Sequence, residues 1–325
     1  MTLSLRKLAP ETYRRHALHH DDRAWLETNC YVDLWIEVLH AFGHDPAACL
    51  GFTVATDFEG DQWLFFKQPT QDLFELYGVD VQELTIYDDL LARVETQLAR
   101  GRLVMVELDA HYLPDTAGVT YGIGHSKTTV GIETLDVAGR RLGYFHNAGY
   151  YMLGGEDFAG LFGLDRPRRE GELVPYTEFV KFREQPSLSA DALTRKAVAI
   201  LQRHLARRPA QNPVTAFRTR FLEDVRGLKE REAEAFHGYA FATLRQCGAA
   251  YELAQSHLAW LNARGEEGLV EAEAAFGILA SQAKTLQFKT ARAVLLKREV
   301  DLTPMLDAME SAWEGALGAL VARYG

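Results

Sequence analysis

Tyr31 to Phe42 is apolar at almost every position and is stopped by Gly43, a residue suited to the left-handed turn that ends helices. Only Asp33, Glu37 and His40 interrupt the run, at i, i+4 and i+7, so it reads as a mostly buried helix with one polar stripe. Directly before it stand Asn29 and Cys30. A cysteine in the first turn of a core helix meets unpaired backbone N–H groups and the positive end of the helix dipole, and both favour a thiolate. Such a helix demands a substantial core to cover it, and it marks Cys30 as a candidate nucleophile. A small buried hydrophobe that happens to carry sulfur is the alternative reading.

At 325 residues, with 47% hydrophobic and 25% charged content, the chain has the composition of an ordinary globular protein and room for two domains. It contains no uncharged apolar stretch of membrane-spanning length, and Met1 to His20 has no signal-peptide core, so a cytoplasmic location without a membrane partner is expected. A net charge of −10 argues against nucleic acid as the main partner, because neutralising phosphates needs a dense basic surface. Cys30, Cys49 and Cys247 are too sparse for a disulfide framework and lack metal-ligand spacing. His19-His20-Asp21-Asp22 reads as a solvated loop, since adjacent residues rarely converge on one ion. No metal or bound cofactor is expected.

The first 185 residues mix helix and strand signals. After the Cys30 helix, Leu50 to Ala55 reads as a strand or short buried segment, and Pro69-Thr70 opens a helix that Gly78 stops. An amphipathic helix follows at Asp88 to Arg100. Strands are predicted at Arg102 to Leu108, Ser126 to Leu135 and Arg141 to His146, the last two forming a hairpin around Ala138-Gly139. A short helix at Phe158 to Phe162 and a strand at Leu173 to Phe182 complete the region. From Pro186 onward helical periodicity dominates, predicting helices at about 189–207, 213–227, 229–263 (kinked near Gly248), 266–298 and 302–324. The fold class is therefore α+β: a helix-plus-antiparallel-sheet domain at 1–185, followed by an all-α helical bundle at 186–325.

A nucleophilic Cys30 needs a base and a third group that holds the base in its useful tautomer. His125 begins one predicted strand, and its hairpin partner ends at Phe145-His146-Asn147. Those two ends would meet side by side in an antiparallel hairpin, which makes His125 the candidate base and Asn147 its orienter. A satisfied core or edge histidine and a simple turn former before Ala148-Gly149 are the competing readings of these two residues.

Asn29-Cys30 at a helix start, Val106 to Pro114, Tyr121 to His125 and the strand Val130 to Asp136 together carry a resemblance. Their order resembles that of papain-like folds. More specifically, residues 25 to 150 look like the BtrH-type cysteine acyltransferases of butirosin biosynthesis, which join a bacteriocin-peptidase-like domain to a helical one. Those relatives often carry Asp where this chain has Asn147, and Asp136 is a rival orienter. The whole chain also resembles an uncharacterised bacterial family linked to carrier-protein amino-acid activation.

The resemblance implies acyl transfer. Cys30 would take an acyl or aminoacyl group from the phosphopantetheine thioester of a carrier protein and pass it to an amine or hydroxyl of a small-molecule acceptor. The Cys30 N–H and the Asn29 side chain would meet the oxyanion. Trp35, Asp109, Tyr112 and Tyr121 would lie around the substrate. Carrier proteins are acidic, so a basic docking patch is expected at Arg166-Pro167-Arg168-Arg169, at Arg203 with Arg207-Arg208, or at Arg218 with Arg220. Gln287, Lys289 and Arg292 also interrupt an apolar helix. A cysteine hydrolase using the same residues, or a binding module with Cys30 in its core, are the alternatives. The sequence leaves the oligomeric state, including a homo-oligomer, open.

Overall fold

The apolar run forms a helix, α1 (Cys30–Ala41), and in the computed structural model all its residues from Tyr31 to Leu39 are buried. The Asn29 side chain caps it by accepting the Val32 N–H at 3.0 Å, and Gly43 supplies the left-handed turn beyond its end at φ +82°. The structure describes residues 2–165, 174–183, 188–231 and 233–325. The N-terminal region combines helices with an antiparallel sheet, and the C-terminal region is all helical. Contacts divide the chain into two units. Unit 1 comprises Met1–His20, Asn29–Pro46 and Leu73–Ser187, and unit 2 comprises Asp21–Thr28, Ala47–Asp72 and Leu188–Gly325.

Unit 1 is organised by a seven-stranded sheet. Its strands are β1 (Leu3–Ser4), β2 (Val79–Glu83), β3 (Leu103–Asp109), β4 (Lys127–Asp136), β5 (Arg141–His146), β6 (Gly149–Gly154) and β7 (Thr177–Phe182). They run in the order β2-β7-β3-β4-β5-β6, all pairs antiparallel, and β1 adds beside the end of β4 at Leu135 and Thr134. The helix α2 (Thr70–Tyr77) ends at Gly78 as the sequence predicts, and α3 (Leu90–Ala99) is capped by Asp89, whose side chain accepts the Ala92 N–H. One face of the sheet packs Val106, Val130, Ile132 and Tyr144 against Val94 and Leu98 of α3 and Phe158 of α4 (Glu156–Phe162).

The other face carries α1. Leu34 Cδ1 lies 3.0 Å from where a Cβ on Gly131 would stand, so the absence of a side chain at residue 131 lets the helix seat on β4. Of the two readings of Leu50 to Ala55, the short buried segment holds: Leu50 to Val54 are buried within a 3₁₀ stretch, Pro46–Ala55. The strands β2 and β6 go unpredicted because one is largely polar and the other is a six-residue stretch bounded by glycines.

Unit 2 contains α5 (Ala190–Leu205), α6 (Pro213–Leu228), α7 (Ala233–Ala240), α8 (Gln246–Asn262), α9 (Val270–Leu295) and α10 (Thr303–Tyr324). The long helix predicted at 229–263 is interrupted by a π-helical turn at Phe241–Arg245, not at Gly248. Gly248 stays helical, and the Trp25 indole fills the space a Cβ there would occupy. Glu252 accepts the Ala24 and Trp25 N–H groups at 2.9 Å, and Trp25 Nε1 donates to the Ala280 carbonyl at 3.1 Å. Among the described residues no helix is long and apolar enough to cross a membrane.

Candidate functional site

Cys30 is the partly exposed cysteine of the three; Cys49 and Cys247 are buried, and burial pushes the Cys247 thiol far up. Cys30 lies four residues before Leu34, so helical spacing puts both on the side of α1 that faces the sheet. The direction of α1 follows from its two ends. Tyr31 Oη donates to Glu178 at 3.0 Å, near the start of β7, and Phe42 stacks on Phe182, at its finish, at 3.8 Å. Thr177 pairs with Val106, and β3 runs on from there to Asp109. Cys30 therefore lies toward the end of the sheet where β3 finishes and β4 starts.

At that end His125 and Asp109 form a dyad. His125 Nδ1 lies 2.6 Å from Asp109 Oδ2, while Asp109 Oδ1 accepts the backbone N–H groups of His111 at 3.0 Å and Ser126 at 3.3 Å. Burial raises the Asp109 carboxyl, but the His125 ring and the two N–H donors outweigh it and hold Asp109 below the usual carboxylate range. The His111 ring stacks on His125 at 4.4 Å. The dyad faces solvent, with the His125 side chain 71% exposed. Asp109, expected as a substrate contact, thus holds the imidazole.

Asn147 does not perform that task, and strand register explains why. Gly131 pairs with Phe145, so two residues farther along each strand Asn147 stands opposite Thr129, four residues short of His125. The start of β4 overhangs β5, and β3 pairs with the overhang as far as Asp109 opposite Lys127. Asn147 occupies the two-residue turn between His146 and Gly149 with φ +44°, a position its short amide side chain tolerates. The rival Asp136 sits at the opposite end of β4, accepting from Gly139 N and Thr2 Oγ1. Among the described residues no hydrogen bond joins Cys30 to His125 or His125 to Asn147.

The other expected contacts have structural tasks. Trp35 is fully buried in α1. The Tyr112 ring covers Gly160 of α4, and Tyr121 Oη donates to Asp157 of the same helix at 3.1 Å, so both fasten the loop between β3 and β4. Asn29 spends its side-chain oxygen on the α1 cap. Of the expected docking arginines, Arg203 pairs with Asp72, Arg218 with Asp307 and Glu310, and Arg220 with Asp224. Arg166 to Arg169 lie outside the described residues.

Two buried polar clusters were not anticipated. Asp33 and Glu37 of the α1 stripe are internal, whereas His40 is half-buried: His19 Nδ1 lies 2.5 Å from Glu37 Oε1, and its Nε2 lies 3.3 Å from Asp33 Oδ1. Burial alone lowers the His19 imidazole, yet the two carboxylates overcome this and push it up to about 9, so His19 is a buried cation at neutral pH. The i, i+4 spacing of Asp33 and Glu37 was the available signal. On the opposite face of the sheet, His146 Nδ1 lies 2.5 Å from Asp115 Oδ2 and its Nε2 lies 2.8 Å from Thr128 Oγ1, while Tyr144 Oη donates to Asp115 Oδ1. This network pins the loop between β3 and β4 from below. Among the described residues no group of three His, Cys, Asp or Glu side chains is arranged to hold a metal ion.

Residues 14–182 match the model of the DUF1839 N-terminal domain, and residues 190–322 match that of the DUF1839 C-terminal domain. No curated protein sequence matches the chain.

Proposed function

For this chain, which belongs to the DUF1839 family, we propose a cysteine-dependent acyltransferase activity. Cys30 takes an acyl or aminoacyl group from a carrier-protein phosphopantetheine thioester and delivers it to an amine or hydroxyl acceptor. The observation that carries this reading is that a partly exposed cysteine in the first turn of a capped helix lies toward the end of the sheet that bears an exposed histidine held by a carboxylate. The resemblance of residues 25 to 150 to the BtrH-type acyltransferases supports the same chemistry.

In the first step the Cys30 sulfur forms a bond to the thioester carbonyl carbon and the bond from that carbon to the pantetheine sulfur breaks. The proton leaving Cys30 ends on the departing thiolate, and one thioester replaces another at little net cost. In the second step the acceptor nitrogen or oxygen attacks the acyl-enzyme, its proton passes to His125, and the released Cys30 sulfur is reprotonated from the imidazole. Asp109 keeps Nδ1–H of His125 engaged, which leaves Nε2 to accept. The Cys30 backbone N–H, at the positive end of α1, serves the oxyanion; a donor of this kind is worth about 10²–10³ in rate.

The reading is tested by single-turnover transfer from a loaded carrier protein to an amine. Asp109→Asn is expected to slow delivery to the acceptor by about 10²-fold or more, on the scale of general-base catalysis, whereas Asn147→Ala leaves it near wild type. Equal activity of wild type and Asp109→Asn would remove the dyad from the mechanism, and rapid release of free acid would make the protein a hydrolase.

A further inference from the structure

The stretch from the first turns of α9 to three residues past its end is basic in a chain of net charge −10, as is the acid-free stretch 192–222. From Ala274 to Arg298 there is no Asp or Glu, while Lys284, Lys289, Arg292, Lys297 and Arg298 supply five cations. The helix buries Ala283, Leu286, Thr290 and Val294 in the bundle. Its outer side presents Ile278, Ser281, Thr285, Phe288, Arg292 and Leu295, spaced by alternating threes and fours, which is the seam one helix offers to another. Phe288 is 65% exposed and Leu295 57%.

The neighbouring π-helical turn adds to the surface. Phe241 is 49% exposed with the Arg245 guanidinium 5.2 Å from its ring centre, and Lys284 Nζ lies 5.6 Å from the centre of the Phe288 ring. Arg245 also approaches Glu27 at 3.4 Å, the one carboxylate paired with this patch among the described residues. By contrast, Arg203, Arg218 and Arg220 are each neutralised by acidic partners within 3 Å.

We propose that this seam of α9, with Phe241 and Arg245, is the docking surface for an acidic amphipathic helix on the carrier protein that delivers the acyl group. The docking chemistry rests on the seam; the identity of the partner as acyl donor rests on the transfer reading above. Exposed aromatics flanked by cations match a helix whose apolar side is bordered by carboxylates. A membrane surface fits less well, because Ser281, Thr285 and Arg292 interrupt the apolar line that insertion into lipid requires.

The test uses the full-length Cys30→Ser protein, so that binding is read without turnover, and a fluorescently labelled acyl carrier protein bearing its phosphopantetheine arm. Anisotropy is expected to report binding that weakens with added salt. Lys284→Glu with Arg292→Glu, and separately Phe288→Ala, should each weaken it at least tenfold. With Cys30 restored, the same variants should still be acylated by a free acyl-pantetheine thioester at the parental rate. Docking through the seam without acylation of Cys30 by either donor would keep the docking surface and remove the transfer reading. Unchanged affinity in the variants, no carrier binding, or seam-dependent binding to phosphatidylserine vesicles in its place would overturn the proposal.

Discussion

His19 is the residue whose chemistry is most tightly bound to the fold. It is a cation 1% exposed, sandwiched between Glu37 and Asp33 of α1, and Glu37 also accepts from Tyr13 Oη and from the His16 N–H. Its folded value of about 9 lies above the ordinary 6.5, so the stabilisation is fully present below pH 6.5 and is lost as pH rises through 9. That difference corresponds to roughly 3 kcal/mol. Denaturant titrations are expected to show wild-type stability falling across this window, with the slope flattened in His19→Gln. His19→Ala leaves two carboxylates buried without their cation and should cost about 3–5 kcal/mol at pH 7. A wild-type stability flat from pH 6.5 to 9 would show that His19 is neutral in the folded protein. Nothing in the sequence placed His19 against α1, because the contact joins a three-residue 3₁₀ turn, Ala17–His19, to a helix by packing that no local pattern encodes. The polar stripe was legible; that it turns inward was not.

Among the elements, α1 and the strands β3, β4 and β5 could be read almost to the residue, because their apolar patterns and capping residues agree. Register was harder. Pairing His125 with Asn147 assumes that hairpin partners end level, whereas β4 outruns β5 and finds β3 for its overhang. A strand's length beyond its partner depends on the third strand, which a local pattern does not reveal. Likewise Gly248 looked like a helix breaker and proves to be a seat for Trp25. Gly248→Ala should therefore destabilise the protein by about 1–3 kcal/mol through overpacking, even though alanine is the better helix former. A melting temperature at or above wild type would contradict that packing argument.

At the scale of the whole molecule, the change of texture near residue 185 was plain in composition, and family models fall on either side of it. Composition did not reveal that unit 2 also includes Asp21–Thr28 and Ala47–Asp72. These segments complete its core: Trp63 packs on Phe217 at 5.4 Å, Phe58 on Phe217 at 5.5 Å, and His257 Nδ1 lies 2.8 Å from the Ala47 carbonyl oxygen. A fragment beginning at residue 188 is thus expected to lose cooperative unfolding, which circular dichroism against denaturant would detect.

Cys30 as the residue that carries the acyl group is the claim to which the rest of the account is attached. Peptide-level mass spectrometry after quenching the protein with an acyl-loaded carrier protein tests it most directly. The acyl mass should appear on the peptide containing Cys30 and disappear in Cys30→Ala. Acyl mass on another residue, or none on a folded wild-type protein, would contradict it.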